Sequence, residues 1–564
     1  MNRSNVKWCW HDPPLRSPRI LPRSRPKSYG DMLFRMNRHD GRIRIHGIHL
    51  ENNDGDSQCT ANRRTTAHDL DIFTRPHRID KVHGGCPMSM STSKKVIYAS
   101  QTGARLDGNV STGGGTDDTE ILQAVLDQAP HLGSLLLIMD GAALVRGLII
   151  HSNTTIECLN HDCGFFLAPQ TNGPVIRNAH PDKKGPRLDR NITLIGGTYN
   201  QDCPHQEHHI LKDGQASFVF GMEFHGVEHF TMRGVTIRNQ RTFALLMANW
   251  HQVTIDDVTI ELPDRMHAQN QDGLHFWGPG RFLTIRNIRG TAGDDFLALA
   301  PDEFDHVSSI TDVLIDGVML DDADQGIRLL SFDQGKLDRV VIRNVTGTYR
   351  SFGFYMNPFN PGNTGGNYGN IVFDTIDLRA AKPNYDYTSP FLFRIGGKHE
   401  SLTFRNIRHH DPGDHRSLIE VGWPHADQSR IQDDTWVGSL TIEGLQIHAS
   451  DPRSADASYI KVMGHVGRMT VRDVSVTRSA AMPVAGCLLE TMMHADITTL
   501  LMHDISLNRM GNLLRHDIGS IATLQISNVL GEELGGAMLS VHGGHLGVVH
   551  AHGVNGAPLQ EKPQ

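Results

Sequence analysis

Cysteine is scarce, with seven in 564 residues at positions 9, 59, 86, 158, 163, 203 and 487. The number is odd and the spacing irregular, so no disulfide scaffold can be read from it. Aromatic residues make up only 6% and charged residues 21%. No run of about 18 apolar residues occurs, so no segment reads as a membrane-spanning helix. Long stretches rich in Ala, Glu, Lys and Leu are also missing, which argues against a helical bundle or coiled coil. What is present is glycine, 56 residues, beside 38% hydrophobic residues. That apolar fraction is too high for a disordered chain and calls for a packed core. At about four times a typical domain, the chain is either several domains or one long repetitive architecture.

Net charge is −8, unevenly spread. Residues 1–87 hold 16 Lys/Arg against 9 Asp/Glu, and the remaining 38 basic and 53 acidic residues leave −15 for 88–564. So acidic a body argues against nucleic-acid binding by the main domain. Residues 1–87 show neither strand alternation nor helical periodicity, and Pro and Arg punctuate them, as in Pro13-Pro14-Leu15-Arg16-Ser17-Pro18-Arg19. They read as a disordered basic leader, with a basic arm for nucleic acid as the alternative. The same stretch reads as an upstream extension ahead of a natural start near Met88 or Met90. No apolar core of about 7–15 residues follows the basic stretch, as a secretory signal requires. Arg63-Arg64 is followed by Thr-Thr-Ala-His-Asp, unlike a twin-arginine signal. Cytoplasmic residence is the default expectation, with no membrane partner.

From about residue 190 a six-residue pattern returns: apolar, any, apolar, any, small-polar or Asn, apolar. Its copies include Phe230–Val235, Val253–Val258, Leu283–Ile288, Val313–Val318, Val340–Val345, Ile371–Ile376, Leu402–Ile407, Leu440–Leu445, Met469–Val474, Leu500–Ile505 and Leu524–Val529, with weaker ones near 192 and 549. Recurrence at tens of residues is the signature of a solenoid, and short β-branched runs between turn residues make its units strands. A second strand lies between successive copies. Aligning those strands puts Glu223, Leu246, His275, Ala298, Arg328, Tyr355, Arg394, Glu420, Lys461, Glu490 and Arg515 in one column with apolar neighbours on both sides. Side chains alternate faces along a strand, so the neighbours fill an interior and the column faces out. The expected fold is all-β: a single-stranded right-handed parallel β-helix over 88–564, with a capping region at about 95–190 and regular coils at about 190–555. An exposed ladder of mixed charge suits hydrogen bonding to an extended carbohydrate.

Ahead of the coils, Gly113-Gly114-Gly115-Thr116-Asp117-Asp118-Thr119-Glu120 leads into an apolar stripe at Ile121, Leu122, Val125 and Leu126. Thr116 or Asp117 can N-cap that helix. No Gly-Lys-Ser/Thr follows the glycines, so a phosphate loop is disfavoured; the helix more naturally plugs the open end of the solenoid.

Two successive rungs carry carboxylates at matching points. Asn270-Gln271-Asp272-Gly273-Leu274-His275 and Gly293-Asp294-Asp295-Phe296-Leu297-Ala298 align with Asp272 under Asp295, one rung or about 5 Å apart along the stack. Three carboxylates so close cannot all ionise at ordinary pKa values, which separates them into a protonated acid and an ionised base. Glycosidic hydrolysis needs such a pair. His275 and Arg328 fall on the same face.

At these residues the chain resembles glycoside hydrolase family 28, the polygalacturonase family of right-handed parallel β-helices. Asn270-Gln271-Asp272-Gly273 resembles the family's Asn-Thr-Asp, and Gly293-Asp294-Asp295 its Asp-Asp block. Gly103-Ala104-Arg105-Leu106-Asp107-Gly108 with Thr116–Thr119 is similar to the wider pectate-lyase-like superfamily. The resemblance implies single displacement with inversion: Asp294 as general acid, Asp272 and Asp295 holding and deprotonating water. Two departures stand out. The family's Gly-His-Gly is absent, with Gln325 in its place in one register. In another register Arg328 is retained but Leu330 replaces the Lys that contacts substrate carboxylate, which puts polygalacturonate itself in doubt. His306, in the loop Pro301–His306, is placed to supply the missing imidazole. Loops near 261–271, 301–310 and 357–370 are expected to wall the groove. Tyr355, Arg394 and Glu420 complete the candidate substrate-binding set with His275, Arg328, Gln325 and His306.

Two other functions fit the same fold. A calcium-dependent polysaccharide lyase would use the Asp cluster for the cation and Arg328 as base. A carbohydrate-binding β-helix would use the ladder without chemistry. Cys158, His161, Cys163, Cys203, His205, His208 and His209 could cluster as a metal site if adjacent rungs stack them, but no spacing matches a zinc pattern closely and the cysteines read as buried core residues. No metal or cofactor is expected, and the oligomeric state is left open.

Overall fold

The computed structural model describes residues 94–212, 215–265, 270–357, 366–381, 390–410, 417–422, 435–492 and 494–560. The basic leader and parts of the loops near 261–271 and 357–370 lie outside the described residues. The rest forms one right-handed parallel β-helix, each strand pairing with its counterpart one rung on. The six-residue copies stack in the register that the pattern implies, from Ile192 on Phe230 and Phe230 on Val253 to Leu500 on Leu524 and Leu524 on Val549.

The fifth position of the repeat explains itself in the backbone. Gly234, Asp257, Asn287, Gly317, Asn344, Asn406, Gly444, Asp473, Asp504 and Asn528 all have φ between 52° and 86°. That left-handed turn swings the chain from one face of the coil to the next, and only Gly, Asn and Asp adopt it at little cost. Thr375 does the same at 59°. Several of the asparagines also bind the rung before: Asn287 Nδ2 donates to Asp256 Oδ1 at 3.1 Å and Asn406 Nδ2 to Asp374 Oδ1 at 2.8 Å.

Inside the coil, one continuous core holds the apolar partners of every rung, including Leu274, Phe276, Leu297, Leu299, Ile327 and Leu329. The helix Thr119–Leu126 packs Leu122, Val125 and Leu126 into that core, closing the N-terminal end as expected. Its cap differs from the expectation. Asp118 occupies the N-cap position without capping, because its carboxylate instead accepts the N–H groups of Arg105 and Leu106 at 2.8 and 2.9 Å. Asp117 accepts the N–H of Thr119 at 3.1 Å from one residue further back.

The outward column is paired residue for residue: Glu223 with Leu246, Leu246 with His275, His275 with Ala298, Ala298 with Arg328, Arg328 with Tyr355, Tyr355 with Arg394, and onward to Glu490 with Arg515. The expectation that this ladder lies open to solvent is corrected. His275, Arg328, Tyr355, Arg394 and Glu420 are between 4% and 7% exposed. Apart from the main core, two small apolar clusters pack along the column: Phe220 and Phe243 with its Leu246, and Phe352 and Phe391 with its Tyr355. An antiparallel hairpin, His209–Lys212 with Gln215–Phe218, adds Phe218 to the first.

Candidate active site

The acidic cluster is assembled by the ladder itself. Gly273 N–H donates to the Asp295 carbonyl at 2.9 Å and Gly293 N–H to that of Gln271 at 3.0 Å, locking Asp272 beside Asp295 on adjacent rungs. Gly273 admits no side chain: a Cβ there would lie 2.2 Å from the Phe296 carbonyl oxygen. Asn270 turns in the left-handed region, φ 62°, and its N–H donates to Asp294 Oδ2 at 2.9 Å. Asp272 and Asp295 are 2% and 7% exposed, and one carboxylate oxygen of each, Oδ1, is buried without a hydrogen-bond partner. Asp294 is half-buried and the most accessible of the three.

Burial dominates the electrostatics. It pushes Asp272 up to about 7, with Asp294 and Glu303 adding repulsion against the opposing hydrogen bond from His275. Burial likewise raises Asp294, against the Asn270 N–H and the Arg328 charge. It holds Asp295 well above the carboxylate range despite Arg328. Groups coupled so closely titrate as a set, and the set retains a proton where isolated carboxylates would have lost theirs.

His275 lies between two carboxylates, with Nδ1 2.8 Å from Asp272 Oδ2 and Nε2 2.8 Å from Glu303 Oε2. Phe243 stacks on its ring at 4.1 Å and 6°. Burial alone would lower its pKa, but Glu303 and Asp272 override that and raise it to about 10. Glu303 also accepts Trp277 Nε1–H at 2.7 Å; burial would raise its pKa, but the charge and hydrogen bond of His275, the Trp277 hydrogen bond and Arg328 together hold it below its ordinary value. Arg328 is kept charged, burial being outweighed by Asp295, Tyr355, Asp294 and Glu303, and it packs 4.7 Å over the Tyr355 ring.

The structure thus brings together Asp272, Asp294, Asp295, His275 and Arg328, with Gln325 paired to Asp295 on the following rung. Tyr355, Arg394 and Glu420 continue the column, Arg394 over Phe391 at 4.0 Å and its Nε 2.7 Å from Glu420 Oε2. His306 stands apart. It is exposed and packs edge-on against Phe332 at 4.2 Å, whereas the imidazole within the cluster is His275.

Two residues escaped the sequence reading. Glu303 lies in the same loop as His306, and residue type alone does not show that its side chain, rather than the imidazole, bonds into the cluster. Lys183 comes from the irregular segment 181–188, which carries no periodic signal; its ammonium lies 4.9 Å from the centres of both the Trp277 and Phe304 rings. Asp302 fixes the loop, accepting N–H groups of Phe332 and Asp333 at 2.6 Å each and of Gly335 at 3.0 Å.

Among the described residues no group of three or more His, Cys, Asp or Glu side chains is arranged to hold a metal ion. Cys158, Cys163 and Cys203 are buried free thiols, and Cys203 Sγ lies 3.3 Å from the Asp264 carbonyl.

Residues 210–317 match the family model of glycosyl hydrolases family 28. No curated protein matches the chain by sequence. Among solved structures, the tailspike protein of E. coli bacteriophage HK620, in complex with a hexasaccharide, is similar at a TM-score of 0.53 and 11% identity, covering 76% of each chain. A family 28 exopolygalacturonase of Yersinia enterocolitica gives 0.44 and 13%, covering 72% of this chain and 78% of its own. An exopolygalacturonase of Thermotoga maritima gives 0.43 and 11%, covering 78% and 92%. At 11% identity the likeness to the tailspike protein speaks to the fold alone, a right-handed parallel β-helix. The segment that matches glycosyl hydrolases family 28 holds Asp272, His275, Asp294, Asp295 and Glu303, so the family resemblance and the acidic cluster fall on the same rungs.

Proposed function

We propose that this chain is a glycosidase of the polygalacturonase type, cleaving a polysaccharide or oligosaccharide by single displacement with inversion. Asp294 protonates the leaving glycosidic oxygen, Asp272 and Asp295 orient a water, and the water attacks the anomeric carbon as the cluster takes its proton. The observation that carries the reading is the stack of three carboxylates on adjacent rungs, two of them buried and Asp294 the most accessible. A general acid must touch the leaving group, and the two more deeply buried carboxylates suit the water. His275, Arg328, Gln325, Tyr355, Arg394 and Glu420 are the substrate-side candidates along the column.

The lyase mechanism would need Arg328 as a neutral base, and its carboxylate neighbours oppose loss of that proton. With Leu330 where the resemblance expects Lys, and Lys183 and Arg328 as nearby cations, the identity of the sugar is a matter for assay. A panel of neutral and uronic oligosaccharides, digested by wild type and Asp294→Asn, tests the proposal. New reducing ends without unsaturated products, lost by about 10²–10⁴-fold in the variant, are expected for removal of a general acid. Unsaturated products, or binding by the wild type without turnover, would overturn it.

A further inference from the structure

Nothing in the family resemblance assigns a role to Glu303, yet it occupies one end of a three-residue line that ends on Asp272. The line is Glu303 Oε2 to His275 Nε2 at 2.8 Å, then His275 Nδ1 to Asp272 Oδ2 at 2.8 Å. Both imidazole nitrogens face carboxylate oxygens. A neutral imidazole has one N–H and so can satisfy only one of them; the doubly protonated ring donates to both.

The surroundings make this geometry rigid. Trp277 Nε1–H donates to the same Glu303 oxygen at 2.7 Å, Phe243 lies flat on the imidazole at 4.1 Å, and Asp302 ties the loop bearing Glu303 to the turn at 332–335.

We infer that Glu303 is a positioning residue for Asp272, acting through His275. It keeps the imidazole ring charged and oriented, so that Asp272 has one oxygen engaged and the other, Oδ1, left for the water. The inference rests on the role of Asp272 proposed above. The charged groups around His275 are Asp272 on its own rung, Asp294 and Asp295 on the next, Arg328 on the one after, and Glu303 from the loop. Of these, Glu303 and Asp272 bond the ring directly. Asp272 is itself raised by burial, which leaves Glu303 the steadier counter-ion.

The test uses the full-length enzyme labelled in histidine, with the His275 ring resonances assigned by their loss in His275→Gln. In wild type the ring should stay charged well above the ordinary value of 6.5. In Glu303→Gln, which keeps the shape and removes the charge, the midpoint should fall by about 1–3 units, the effect of one opposite charge at this range. The alkaline limb of kcat should move the same way, because Asp272 loses its charged partner as the ring deprotonates. The acid limb should stay or move down, since one repelling carboxylate is gone. A wild-type ring titrating near 6.5, or an equal midpoint in both proteins, would overturn the inference, as would a uniform fall in kcat with unmoved limbs. The titration requires no turnover. It therefore judges this line of residues even if the glycosidase reading fails, and an inverting wild type with an unmoved titration refutes the line alone.

Discussion

Asp295→Asn should change sign in its effect on stability between pH 4 and pH 7. Asp295 is 7% exposed, with Oδ1 unpartnered, and burial holds its pKa well above the ordinary 3.8. The folded chain therefore keeps this proton as pH rises while the unfolded chain releases it near 3.8. For a group whose folded pKa is raised, stability is full below the unfolded value and is lost progressively toward the folded one. The loss is about 1.4 kcal/mol per pH unit. Retaining the proton above 3.8 therefore costs stability that grows with pH until the folded value is reached. Asparagine has the shape of the protonated acid and carries no such cost, although its buried amide forfeits about 1–3 kcal/mol of hydrogen bonding. Because Asp272 and Asp294 titrate with Asp295 as a set, the difference reports the proton that the cluster retains. The variant should thus be less stable than wild type by about 1–3 kcal/mol at pH 4, with the deficit shrinking and then reversing as pH rises toward 7, while turnover falls about 10²–10⁴-fold. Denaturant unfolding of both proteins at pH 4, 5, 6 and 7 measures the slope. A difference independent of pH would mean that Asp295 ionises normally in the fold, and the electrostatic reasoning for the cluster would be wrong.

Other perturbations follow from particular contacts. Arg394→Met should destabilise by about 3–5 kcal/mol because it strands the buried Glu420 carboxylate, while Arg394→Met with Glu420→Gln should recover most of that in thermal unfolding. Phe243→Ala removes the ring stacked on His275 and should cost about 3 kcal/mol, the low end for a buried phenylalanine because its cluster lies outside the main core. Readmitted water should also return Asp272 toward its ordinary pKa, moving the acid limb of the pH–rate profile down. Asp302→Ala frees three N–H groups at 332–335 and should expose the 301–310 loop to limited proteolysis well before the coil unfolds.

The coil was legible because its physics is periodic. The six-residue repeat marks strands whose alternate residues share one core, and its fifth position records a backbone turn that Gly, Asn and Asp tolerate. The shared column followed from the same alternation, and its register is reproduced from Glu223 to Arg515. Asp272 over Asp295 was a consequence of that register. What the pattern could not show is what lies above the column. Phe243, Glu303, Phe304 and Lys183 come from connections of irregular length, whose conformation depends on tertiary bonds such as those of Asp302. A period that says nothing of loops therefore reads His275 and Arg394 as exposed, when rings and opposite charges cover them. His306 is an imidazole close in sequence to the cluster, but residue type alone does not fix which way a loop residue faces.

The most direct test of the central claim is the stereochemistry of the first product. Proton NMR during digestion of a reduced-end-labelled oligosaccharide that wild type cleaves should show the new anomeric centre formed with inverted configuration, followed by slow mutarotation. Retained configuration would require a covalent intermediate on one of the carboxylates and would contradict the roles given to Asp272, Asp294 and Asp295.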